Sequence, residues 1–129
     1  MKITIKHIDS DIPKENYKFY NDFIKYLQKI KPLKQDITIK FVGEREGDMT
    51  TGQRNNSDEL LVLSKNRMNR DILRTLAHEW VHEYQRTILN RGKGSDIGGK
   101  NEDEANALSG SIIKKYEKKF PEDEKKMYE

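Results

Sequence analysis

The sequence predicts one α+β domain: a small sheet of three or slightly more strands, an amphipathic N-terminal helix and two further long helices. Three observations carry this expectation. Apolar residues alternate with polar ones in two short stretches and run together in a third, the patterns of half-buried and fully buried strands. Apolar residues recur at intervals of three and four in longer stretches, the period of a helix with one buried face. The length, 129 residues, is that of one domain. Composition alone is less decisive. Ile, Leu, Val and Phe make up about 22% of the chain and 36% of residues are charged, close to the range of disordered chains. The periodicity decides for a folded protein.

Met1, Ile3 and Ile5 alternate with Lys2, Thr4 and Lys6, the first strand. Asp9 to Pro13 supply turn residues and a helix start. Over 14–30, Tyr17, Phe19, Tyr20, Phe23, Ile24, Leu27 and Ile30 trace one helical face, and Lys31-Pro32 ends it. Ile37, Ile39 and Phe41 alternate as a second strand. The polar stretch 43–59, with Gly43, Gly47 and Gly52, reads as a long loop or a ragged hairpin. Leu60-Leu61-Val62-Leu63 is a third strand, apolar enough to be buried on both faces. A second helix covers 71–89 and stops at the glycines of Asn90-Arg91-Gly92-Lys93-Gly94. Residues 91–100 contain four glycines and read as a flexible loop. A third helix covers about 101–119 and closes at Phe120-Pro121; the charged residues from about 120 to 129 are expected to fray.

The chain has no cysteine, which excludes disulfides, thiolate metal ligands and a cysteine nucleophile. The alternation at the start is unlike a signal-peptide core, and no apolar run approaches the roughly 20 residues that span a bilayer. A cytoplasmic protein acting away from membranes is the expectation. The net charge of +3, from 25 basic and 22 acidic residues, reads as a solvated lysine-rich surface rather than a nucleic-acid footprint.

The second helix contains His78-Glu79-Trp80-Val81-His82. Residues four apart on a helix lie one turn apart and about 40° round the axis, so the two imidazoles converge on one tetrahedral ion. Glu79 sits about 100° round from His78, off the ion but within reach of a water beside it. Zinc makes such a water acidic, and a carboxylate then accepts its proton. The candidate ligands are His78 and His82 and the candidate base is Glu79. On the helical wheel Leu73, Ala77, Trp80, Val81, Tyr84 and Ile88 cluster on a core face, with Thr75, Glu79 and Arg86 on a polar side.

A catalytic zinc takes three protein ligands and an open position. His7, the only other histidine, continues the first strand's alternation and reads as packing. Glu102 and Glu104 open the third helix. Glu102 shares a face with Ala105, Ser109, Ile112, Ile113 and Tyr116, whereas Glu104 falls on the solvent side with Ser111 and Lys115. A carboxylate on a buried face is costly unless paired or metal-bound, which selects Glu102 as third ligand. Asn106, one turn later on that face, is placed to bond the outer nitrogen of a ligand histidine. Tyr116 and Arg86 are possible partners for an oxyanion, with nothing in the spacing selecting either.

An HExxH helix followed by a glutamate on the next helix resembles the gluzincin metallopeptidases, and the chain is similar to their smallest members, the minigluzincins. The run Glu102-Asp103-Glu104-Ala105-Asn106-Ala107 also resembles the ImmA/IrrE-like peptidases. Asn106 stands where the family has an aspartate, and Val81 where it has a glycine before the second histidine. The resemblance implies a zincin-like fold, Zn2+ held by His78, His82 and Glu102, and peptide-bond hydrolysis with Glu79 as base. It also implies that an edge strand before the HExxH helix, here Leu60 to Leu63, pairs with an extended substrate. The expected partner is a peptide or protein substrate, met by a monomer. Two other readings stay open: a zinc-binding interaction module without catalysis, and a weak basic nucleic-acid binder.

Overall fold

The computed structural model describes residues 1–45, 52–55, 59–91 and 99–129, with the backbone alone for 53–55. The architecture is α+β. Strands β1 (Ile3–Ile8), β2 (Ile37–Val42), β3 (Gly52–Asn55) and β4 (Glu59–Leu63) form one sheet in the order β1-β2-β4-β3. β1, β2 and β4 run parallel, with Ile3 opposite Ile37 and Ile39 opposite Leu60. β3 runs antiparallel to β4, with Gly52 opposite Val62. The helices are α1 (Tyr17–Ile30), α2 (Asn69–Thr87), α3 (Lys100–Lys119) and the short α4 (Glu124–Met127). Single 3-10 turns precede α1 and α4.

Each long element follows its sequence pattern. α1 buries Phe19, Tyr20, Phe23, Ile24 and Leu27, while Ile30 at its last turn is exposed. β2 places Ile37, Ile39 and Phe41 in the main core. β4 is buried on both faces: Leu60 and Val62 join that core, and Leu61 and Leu63 form a second cluster with Val42 on the opposite face. α3 buries Ala105, Ser109, Ile112, Ile113 and Tyr116, the face expected from the wheel. His7 stacks on Tyr17 and Phe41, with ring centroids 4.1 and 5.2 Å away, so its role is packing at the β1 end of the sheet.

Three expectations are corrected. β4 is not an edge strand. It lies between β2 and β3, because the polar stretch contributes Gly52–Asn55 as an outer strand. A Gly-Gln-Arg-Asn segment shows no apolar alternation, and an end strand needs none when its backbone bonds to a neighbour. The C-terminal residues are folded rather than frayed. Met127 is fully buried, Asn69 Nδ2 donates to the Lys126 carbonyl at 2.9 Å, and Asn69 N donates to the Glu129 carbonyl at 2.8 Å. These bonds satisfy donors at the start of α2, which no side chain caps. Finally, α2 is covered on more than its core face: Thr75 and Glu79, expected on a polar side, are both 8% exposed.

The glycine-rich loop expected at 91–100 falls, for 92–98, outside the described residues, as do 46–51 and 56–58 of the polar stretch. No helix among the described residues is long and apolar enough to cross a membrane.

Candidate metal centre

α2 and α3 bring three ligand-type side chains to one point. His78 and His82 lie one turn apart on α2, and their Nε2 atoms are 3.0 Å apart. Glu102, in the first turn of α3, sets Oε1 2.9 Å from His78 Nε2 and Oε2 2.7 Å from His82 Nε2. Trp80 anchors the motif from the opposite side: it is fully buried, and its Nε1 donates to the Lys31 carbonyl at the end of α1, 2.9 Å away. The helical period therefore turns Trp80 inward while the histidines face α3.

Two imidazole nitrogens and a carboxylate at one point are ligand types that a metal cation takes. Around a tetrahedral zinc the ligand atoms stand roughly 3.3 Å apart, a few tenths of an ångström wider than here. His78, His82 and Glu102 could hold a metal ion. Burial lowers the His78 pKa, against the upward pull of the Glu102 carboxylate. A lowered pKa favours the neutral imidazole, the form that binds metal.

Glu79 is not part of this cluster. It lines the cleft beside it, about 390 Å³ in volume, together with His78, Glu102, Arg67 and Arg74. The β3 backbone closes over Glu79 from above. A Cβ at Gly52 would lie 2.8 Å from Thr75 Cγ2, 2.9 Å from Glu79 Cγ and 3.0 Å from Glu79 Oε2, so only glycine lets the strand pass this near. Burial, with a smaller contribution from the Glu102 charge, pushes the Glu79 carboxyl up to about 8. Arg67, at the cleft wall, is held by the Leu63 and Asp71 carbonyls and by Thr75 Oγ1. Arg74 lies one turn before His78.

The remaining sequence candidates separate. Glu104 lies outside the cluster and accepts from Arg91 and Gln85. Asn106 lines the cleft instead of bonding a histidine; the outer nitrogen of His82 meets Gln85 Oε1 at 3.0 Å. Neither oxyanion candidate lines the cleft. Tyr116 is packed among Phe23, Tyr26 and Phe120, and Arg86 donates to Glu83 at 2.7 Å. Gln85, Arg67 and Arg74 are the residues sequence reasoning missed. The i, i+3 spacing from His82 to Gln85 and the i, i+4 spacing from Arg74 to His78 were the available signals.

Comparison with protein-family models, curated proteins and solved structures finds no match to this chain. The meaning of the cluster therefore rests on its own geometry.

Proposed function

We propose that the protein is a zinc-dependent metallopeptidase of zincin-like, gluzincin type, with His78, His82 and Glu102 as ligands and Glu79 as general base. The observation that carries this is the convergence of His78 Nε2, His82 Nε2 and the Glu102 carboxylate within 3.0 Å of one another, beside a separate buried carboxylate in the same cleft. Two histidines and a glutamate form a ligand set of catalytic zinc, which leaves a fourth position open.

Zinc, when bound, supplies Lewis acidity toward a carbonyl and makes a nearby water acidic. The chain's residues supply the rest. Glu79 takes the proton from the water and returns it to the departing amine, a role suited to a carboxyl whose pKa lies well above the ordinary range. The Arg74 guanidinium, on the same cleft wall as His78, offsets negative charge that develops on the carbonyl oxygen. The end strand β3, rather than β4, is the edge along which an extended peptide adds by backbone bonds. Its Gly52 adjoins Glu79, so a peptide lying there passes the base.

The test is cleavage of a peptide library by the zinc-loaded protein, with the stripped protein and Glu79→Gln alongside. The expected result is zinc-dependent cleavage that Glu79→Gln abolishes while zinc uptake is retained. Zinc uptake without any cleavage would turn the reading to a metal-binding interaction module. A Glu79→Gln variant with full turnover would remove Glu79 as base.

A further inference from the structure

We infer that Gln85, held by Glu104 and Arg91, is a positioning residue that sets the tautomer of His82 and so aims its Nε2 lone pair at the metal position. This deepens the zinc reading and rests on it.

Gln85 is fully buried, so its amide has no water to turn toward. Its Nε2 donates to the Asn101 backbone carbonyl at 3.1 Å and to Glu104 Oε1 at 3.2 Å. A carbonyl and a carboxylate only accept, so the nitrogen end of the amide must face them. Glu104 is itself held in place: Arg91 Nη1 donates to its two oxygens at 2.8 and 2.7 Å. With the nitrogen end so placed, the amide oxygen points at His82 Nδ1, 3.0 Å away. An amide oxygen cannot donate, so the hydrogen sits on Nδ1. The ring so paired has its lone pair on Nε2, the atom facing His78 and Glu102; without a metal, Glu102 Oε2 at 2.7 Å competes for the hydrogen there, and the Gln85 pairing opposes it.

The opposite amide orientation would present NH2 to Nδ1 and move the ring hydrogen to Nε2, blocking the ligand position. It would also set the amide oxygen against the Asn101 carbonyl and the Glu104 carboxylate, losing two bonds in a buried place. The same group ties the end of α2 to the start of α3, since Asn101 Nδ2 donates to the Arg91 carbonyl at 3.3 Å. One network thus orients the second histidine and secures the turn that carries Glu102. Glu104, although no ligand, acts on the site through Gln85.

Two measurements test this. Long-range 1H–15N spectra of the zinc-free protein in a Glu102→Ala background, which removes the carboxylate competing at Nε2, report which nitrogen of His82 carries hydrogen. Zinc affinity is read by competition with a chelator for wild type, Gln85→Leu, Glu104→Ala and the exchange variant Gln85→Glu/Glu104→Gln. The Glu102→Ala background is expected to show hydrogen on Nδ1, and adding Glu104→Ala to shift part of the population to Nε2. Gln85→Leu should bind zinc about 10–100-fold more weakly, as loss of an outer partner usually does. The exchange variant should recover part of the affinity, because a carboxylate at 85 still accepts from Nδ1 and an amide at 104 still donates to it, although the bond to the Asn101 carbonyl is lost. A merely structural contact predicts no such recovery. Hydrogen on Nε2 in the Glu102→Ala background overturns the inference, as does wild-type zinc affinity in folded Gln85→Leu. If Gln85→Leu does not fold, the part-exposed Glu104→Ala and the exchange variant decide in the same way. Wild-type protein that takes up no zinc overturns the zinc reading and this inference together; equal zinc affinity in every variant overturns this inference alone.

Discussion

Glu79 concentrates the conflict between folding and chemistry. A base must keep a carboxylate near the reacting water, yet this one lies 8% exposed beneath a strand and beside the Glu102 charge. Its carboxyl titrates near 8 in the fold against an ordinary value of 4.5. Between those values the native chain keeps a proton that the unfolded chain has released, so stability falls as pH rises through that window. Below about 4.5 both states are protonated and the effect vanishes. Glu79→Gln removes the charge and keeps the shape. The zinc-free variant should therefore match wild type in Tm near pH 4.5 and exceed it increasingly toward pH 8, by a few kcal/mol of stability. Thermal melts at several pH values with a chelator present check this. A Tm difference that stays flat with pH would mean that Glu79 is solvated in solution.

At the level of elements, the site depends on which strand covers which helix. α2 has twelve of its 19 residues buried, more than one amphipathic face provides. α3 takes the histidine side, α1 receives the Trp80 bond, and β3 lies over Thr75 and Glu79. Gly52 is a point of close approach. An alanine there puts its methyl 2.8 Å from Thr75 Cγ2 and within 3.0 Å of the Glu79 side chain, so the strand or these side chains must shift. Displacing a base by about 1 Å can cost on the order of 100-fold in rate. Gly52→Ala should therefore lower turnover by roughly 10–100-fold while leaving zinc affinity near wild type, since no ligand touches the new methyl. Parallel kinetic and zinc-competition measurements separate the two effects. A comparable loss in zinc affinity would show that β3 supports the ligands as well as the base.

For the molecule as a whole, the two termini of the described chain contribute unequally to the site. β1 lies at the far end of the sheet from β3, and His7 there is spent on packing. The C-terminal residues instead fold back onto the start of the site helix, through the Asn69 bonds and the buried Met127. Tyr20 adds a hydrogen bond to Asn69 Oδ1, linking α1 to the same point. Met127→Ala deletes a fully buried side chain and should cost about 2–5 kcal/mol, lowering Tm by roughly 8–20 °C. A calorimetric scan reads it directly. An unchanged Tm would mean that α4 is detached in solution and that α2 begins without it.

Much of this was legible from the chain alone because it follows local periods. The alternation of β1 and β2, the stripes of α1 and α3, and the four-residue step from His78 to His82 depend only on backbone geometry that every strand or helix shares. The same reasoning picked Glu102 over Glu104, since a face is a property of one helix. What remained hidden depends on partners distant in sequence. β3 has no apolar signature and exists as a strand because β4 offers it backbone bonds. β4 became an inner strand for that same reason. Gln85 meets His82 one turn away, but its orientation is set by Asn101 and Glu104 across the helix pair. The tail is charged in sequence and is folded because Met127 finds a hole in the core. Local spacing determined which side chains share a face; only the packing of helix on helix and strand over helix decided which of them meet, because those contacts join residues that no sequence period connects.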